Sequence, residues 1–251
     1  MSQDNIQYGA YFTFADIVST EYGVWISGTG TWDSPERDVE YITVPGRNGS
    51  LIVDNGRFQP VNITYPCFIA KGFEHRFDAF KAALLARPGF YRLKDTYHPD
   101  HYRMASFRGP ITPDTGIYNK SGSFDVSFYC QPELWLDSGD TPMLLGGYGT
   151  SGFVLNPTLY PSKPMIVVKL QEGGDTGTFT LGGQTVTITD SPSETIYIDC
   201  ERQDAYFGST NLNPYITLTT GAFPEIQPGE SAWQITGDVE SLTVYGRWWT
   251  V

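Results

Sequence analysis

The sequence predicts a mainly β protein of two β-sandwich-like domains, the first carrying one packed α-helix. Three observations lead there. The 251 residues include 27 Gly, 17 Pro, 16 Tyr and 15 Phe, a mixture that suits short strands joined by tight turns. Charged residues make up only 18%, too few for long solvated helices. The third observation is a Gly- and Pro-rich break over residues 137–163, which contains Gly139, Pro142, Gly146, Gly147, Gly149, Gly152, Pro157 and Pro161. Little periodicity is visible in it, so it reads as a linker or an ordered crossover between a domain at 1–136 and a second at 164–251.

The elements follow in order. Tyr11–Phe14, Gly23–Ile26, Glu40–Val44, Ser50–Val53 and Val61–Tyr65 are short apolar runs bounded by turn residues, and they read as strands. Between the third and fourth lies Val44-Pro45-Gly46-Arg47-Asn48-Gly49-Ser50-Leu51. Pro45 fixes φ, and Gly46 and Gly49 open backbone conformations closed to other residues, so the loop is stiff and presents Arg47. Residues 73–86 form the one convincing helix: Phe73, Phe77, Phe80 and Leu84 are spaced four, three and four apart and make a single apolar face, ended by Pro88-Gly89. Strand patterns resume at Gly89–Leu93, His101–Arg108 and Ser123–Cys130.

Beyond the break, Pro164–Leu170, Gly177–Leu181, Gln184–Thr189, Thr195–Asp199, Asp204–Phe207, Ala232–Thr236 and Ser241–Trp248 alternate at period two. Gly182-Gly183 is a tight hairpin turn between the second and third of these. Seven such runs predict an all-β sandwich.

Charge narrows the function. Residues 1–135 hold 12 Lys/Arg against 15 Asp/Glu, a net of −3, whereas residues 136–251 hold 4 against 13, a net of −9. So acidic a second half opposes binding to nucleic acid or to an anionic membrane. Cys67, Cys130 and Cys200 are odd in number and far apart, and they read as buried small hydrophobes rather than a disulfide set. The chain shows neither a secretion signal nor an 18-residue apolar run, which implies synthesis and folding in the cytoplasm.

Chemical motifs are sparse. His98-Pro99-Asp100-His101, near Asp95, is the best metal-like cluster, but Pro99 keeps the histidines off a common helix face and no further ligand lies at zinc spacing. A polar loop before a strand explains it. Asp199 and Glu201 could share a strand face as a glycosidase pair does, although among 28 acids some pair will be two apart, and solvation accounts for them. No nucleophile elbow, P-loop or dinucleotide fingerprint occurs. The reading is therefore no enzyme, no metal and no cofactor. Of the tryptophans Trp135, Trp233, Trp248 and Trp249, the adjacent pair Trp248-Trp249 points to opposite sides of a strand. One of the two belongs to the core and the other is left for a partner or a glycan.

The order of Tyr22-Gly23-Val24, Pro45-Gly46-Arg47-Asn48-Gly49, the helix and Phe128-Tyr129-Cys130-Gln131-Pro132 resembles the distal tail (Dit) proteins of long-tailed, non-contractile bacteriophages. The second half continues the resemblance with Asn156 and Pro164, with Ile196-Tyr197-Ile198-Asp199, and with the late turn Pro228-Gly229. Glu230-Ser231 departs from the acidic-Asn pair usual after that turn. The resemblance implies a virion protein of the tail tip or baseplate with a galectin-like second sandwich. Its first domain would form a homo-hexameric ring, joining the tail tube to tail-tip and receptor-binding proteins and leaving a channel through which DNA passes without specific binding. Pro45, Gly46, Arg47, Asn48 and Gly49 are the candidate ring contacts, and Trp248 and Trp249 the candidate partner or glycan contacts. The alternative function is a carbohydrate-binding sandwich that recognises host-surface glycan.

Overall fold

The computed structural model describes residues 9–28 and 32–251, the side chain of Ile117 excepted. It is mainly β with one α-helix, and it divides into two compact units between Leu134 and Trp135. No helix among the described residues is long and apolar enough to cross a membrane.

In the first unit the strands are β1 (Phe12–Phe14), β2 (Ile17–Val18), β3 (Val24–Ile26), β4 (Arg37–Thr43), β5 (Ser50–Phe58) and β6 (Val61–Ile69). After helix α1 (Phe73–Leu85) come β7 (Tyr91–Asp95), β8 (His101–Phe107), β9 (Asp114–Thr115) and β10 (Gly122–Leu136). The main sheet has the order β2-β1-β7-β8-β10-β6-β3, whereas among the described residues β4 and β5 pair only with each other. β6 alternates buried and less buried residues along its whole length, and its register with β10 runs unbroken from Val61–Cys130 to Ile69–Gly122. Such period-two burial specifies register, because a slip of one residue would turn the core face outward.

The helix lies as its spacing predicts: Phe73, Phe77, Phe80 and Leu84 are its buried residues. Its face enters an aromatic core. Phe12 stacks on Tyr65 at 5.2 Å and meets Phe128 edge-on at 5.4 Å, while Phe77 meets Phe124 edge-on at 5.0 Å. Offset and edge-on pairs of this kind add about 0.5–1.5 kcal/mol each beyond the area they bury.

The second unit contains two sheets. One has the order β11 (Pro142–Gly146), β21 (Val239–Tyr245), β13 (Met165–Leu170), β16 (Thr195–Asp199), β17 (Asp204–Phe207), β18 (Thr210–Asn211). The other has the order β12 (Ser151–Asn156), β20 (Gly229–Gly237), β14 (Thr176–Leu181), β15 (Gln184–Thr189), β19 (Ile216–Leu218). A short β22 (Trp249–Thr250) ends the chain. Ile166, Val168, Ile196, Ile198, Leu242 and Val244 from the first sheet and Phe179, Leu181, Val186, Ile188 and Ile235 from the second are wholly buried in one shared core. The unit is thus a β-sandwich, with Gly182-Gly183 turning the β14–β15 hairpin as read from sequence.

The segment 137–163, read above as a linker or an ordered crossover, is ordered and supplies β11 and β12, one strand to each sheet. Its loop 157–161 is also built rather than slack. The buried Asn156 donates from Nδ2 to the carbonyls of Tyr160 and Ile226, at 2.9 and 3.1 Å, and its Oδ1 accepts from Thr158. One amide therefore satisfies backbone groups that a turn would otherwise leave unpaired.

Candidate assembly site

The candidate loop Pro45–Gly49 is the tip of the β4–β5 hairpin. The Arg47 amide donates to the Val44 carbonyl at 3.2 Å, and Gly46 and Gly49 have φ of 79° and 82°, values that L side chains avoid. Pro45, Gly46, Arg47, Asn48 and Gly49 are all exposed. Nothing in the turn itself needs the Arg47 guanidinium.

Behind the tip the hairpin is apolar on both faces. Tyr41 opposes Ile52 on one face, and Ile42 opposes Leu51 on the other beside Val53. All five are exposed, Tyr41 at 67% and Ile52 at 63%. Charges gather at the open end instead: Arg37 pairs with Asp54 and Arg57 with Asp38, each at 2.5 Å. Both carboxyls are held below their ordinary values. For Asp38 the largest cause is the hydrogen bond from Arg57; for Asp54 it is the bond from the Gly56 amide, followed by that from Arg37. Being solvent-exposed, these ion pairs contribute little stability but fix the register of the hairpin root. An isolated two-stranded ribbon with apolar residues on both faces is marginal in water and suited to burial against another surface.

Trp248 and Trp249 differ in their surroundings. Trp248 is buried in the second unit's core. Trp249 donates its indole Nε1–H to the Pro161 carbonyl at 3.0 Å and stacks on Tyr160 at 4.4 Å. The pair therefore offers a single half-buried ring, one face of which is already covered.

Asp199 and Glu201 do not form a catalytic pair. Asp199 is buried and held bidentately by Arg247, at 2.7 and 3.0 Å, and it accepts the amides of Glu201 and Arg202; Glu201 lies 3.5 Å from the same guanidinium. Burial pushes the Asp199 carboxyl up, but the Arg247 hydrogen bonds and the Arg202 amide outweigh it, so the acid stays below its ordinary value. Sequence reasoning missed this ion pair because its members are 48 residues apart.

Asp95 organises the His98–His101 loop as a capping side chain. It accepts from Tyr65 Oη at 2.6 Å and from the amides of Tyr97 and His98. Among the described residues no group of three or more His, Cys, Asp or Glu is placed to hold a metal ion. All three cysteines are free and buried, and burial pushes the Cys130 and Cys200 thiols up to about 12, which makes them inert packing groups at neutral pH.

No protein-family model matches the chain, and no curated protein matches it with significance. Solved structures do. The SPP1 Dit (gp 19.1) protein, described as a paradigm of the hub adsorption apparatus in phages infecting Gram-positive bacteria, aligns over 97% of this chain and 100% of its own. The TM-score is 0.76 and the identity 13%. A chain of the phage P2 baseplate in its activated conformation with Ca aligns over 94% and 97%, with a TM-score of 0.52 and 11% identity. The same baseplate in its activated conformation with Sr gives 0.51 at 11%. Over 97% of its length, this chain has the fold of the Dit protein of SPP1.

Proposed function

We propose that the protein is a structural hub of a phage tail tip, a Dit-like subunit that forms a homo-hexameric ring joining the tail tube to tail-tip and receptor-binding proteins. The single observation that carries the self-assembly is the β4–β5 hairpin. It exposes five large apolar side chains outside any larger sheet, a surface that makes physical sense when a neighbouring subunit covers it. Closing a ring requires heterologous contacts, in which the hairpin of one copy meets a different patch on the next. The full-length likeness to SPP1 Dit supports the hub role, and the near-neutral first half suits a channel that lets DNA slide without gripping it. A galectin-like second sandwich and a virion location belong to the same reading.

Negative-stain microscopy of the purified protein tests it. The expected particle is a six-fold ring with a central hole. Monomers alone at every concentration up to about 100 µM, where contacts of ordinary interface strength are populated, would contradict it.

A further inference from the structure

From Thr141 to Ser162 the chain contains no Asp, Glu, Lys, Arg or His, although it lies in the half that carries a net charge of −9. The exposed apolar side chains of the second unit collect there: Leu144, Tyr148, Phe153, Leu155 and Leu159, with Phe207 the one other among the described residues. At the centre of this stretch is β12, an edge strand.

The four sheet edges of this unit differ in how they are guarded. β18 has two residues and β19 three, too short to template another strand. β11 begins at Pro142 and its register breaks between Leu144 and Gly146, two devices that blunt an edge. β12 has neither. It pairs with β20 in unbroken register over six residues, with no charge and no internal proline.

The peptide groups of β12 can be assigned to sides. The Ala232 carbonyl of β20 accepts from the Gly182 amide at 3.1 Å, on the β14 side, so Ala232 spends its hydrogen bonds away from β12. In an antiparallel ladder the Phe153–Ala232 pair is then a non-hydrogen-bonded pair, and the peptide groups of Phe153, with those of Ser151 and Leu155 two residues either way, point to the free side. The same three residues have exposed side chains, Phe153 at 70% and Leu155 at 62%. On the β20 side of Phe153, over the face of the sheet, opens a concavity of about 530 Å³, lined also by Thr180, Gly183, Ala232, Trp233 and Gln234. Trp233, 8% exposed, runs beneath Gly152, where a Cβ would come within 2.9 Å of its ring, and its Nε1 donor has no hydrogen-bond partner.

We infer that the free edge of β12 is a β-augmentation site, which adds as a further strand an extended segment of another protein that carries no acidic residue and has apolar side chains at alternate positions. Main-chain hydrogen bonds to Ser151, Phe153 and Leu155 supply the pairing, and the exposed Phe153 and Leu155 side chains select apolar side chains at alternate positions of the added strand. The charge around the edge selects the partner as well: β12 carries none, Glu230 lies opposite Leu155 on the exposed face, and the half as a whole is acidic, so an acidic segment laid here would meet like charge and no counter-ion. The site is on the second unit and does not depend on ring formation.

The test uses the full chain and a labelled peptide, Ser-Ala-Trp-Gln-Ile-Thr-Gly, copied from Ser231–Gly237, the uncharged part of β20, the strand that already pairs with the other side of β12. Fluorescence anisotropy should show saturable binding. Phe153→Lys places a charge on the edge, and Leu155→Pro removes a free-side N–H without touching the ladder to β20, so each should weaken binding at least about tenfold with the circular dichroism unchanged. Were Leu155→Pro to unfold, Phe153→Lys still decides. No saturable binding at about 1 mM peptide, equal binding by both variants, or equal binding of a peptide with Asp at the Ala and Gln positions would overturn the proposal. So would a dimer of the parent, seen by light scattering without peptide and abolished by Phe153→Lys, because the occupant would then be a second copy of this chain.

Discussion

Two hairpins, β4–β5 and β14–β15, are built from the same local chemistry and come to different ends. Each joins two β-rich runs through glycines at positive φ, Gly46 and Gly49 in one and Gly182 and Gly183 in the other. β14–β15 continues into a five-stranded sheet and buries Phe179, Leu181, Val186 and Ile188 completely. β4–β5 continues into nothing and leaves Tyr41, Ile42, Leu51, Ile52 and Val53 exposed. Turn chemistry and β-propensity make a hairpin, but whether it contributes to the fold or to an assembly depends on what covers its faces. Apolar area left uncovered is binding energy held for another molecule.

The comparison breaks most readily at the packed hairpin. Phe179→Ala should cost about 3–5 kcal/mol in a denaturant melt, through lost transfer energy and a cavity between the sheets, whereas Ile52→Ala should cost less than about 1 kcal/mol in the monomer. Similar losses from the two would mean that the β4–β5 hairpin is packed after all.

A comparable loss, about 3–5 kcal/mol, is expected for Asp199→Asn, which leaves the Arg247 guanidinium without its buried counter-charge. The Asp199 carboxyl is depressed in the folded state, so its stabilisation is complete above the ordinary aspartate range and is lost as pH falls below about 4 through the folded value. Stability of the parent should therefore decline with acid more steeply than that of Asp199→Asn. Parallel pH profiles would refute this linkage.

On the helix, Phe77→Ala should again cost about 3–5 kcal/mol, while Lys81→Ala should cost under about 1 kcal/mol, since Lys81 makes only an exposed pair with Asp78 and a contact 5.4 Å from the Phe77 ring. The smallest effect on folding belongs to Arg47→Ala at the hairpin tip. It should leave the monomer's melting temperature unchanged and raise the concentration needed for assembly, a split that sedimentation velocity would record.

These contrasts also show what was legible in the sequence. The helix could be read residue by residue, because one period of 3.6 decides which of Phe73, Phe77, Phe80 and Leu84 face inward. The Gly182-Gly183 hairpin could be read because the turn chemistry is local. β11 and β12 could not: Gly146, Gly147, Gly149 and Gly152 interrupt the alternation, and what makes Ser151–Asn156 a strand is its ladder to β20, some 80 residues away. The Asp199–Arg247 pair was hidden for the same reason. The hairpin tip at Arg47 was visible as a turn, yet the exposed apolar faces behind it were not, since alternating apolar residues look alike in sequence whether or not a second layer covers them.

The most direct test of the account is the native mass of the purified protein beside a Tyr41→Glu, Ile52→Glu double variant, which charges one exposed face of the hairpin without touching the core. A six-copy species in the parent, and a folded monomer with an unchanged melting temperature in the variant, are the predicted results. Hexamers in both would remove the hairpin from the interface, and monomers in both would contradict the ring itself.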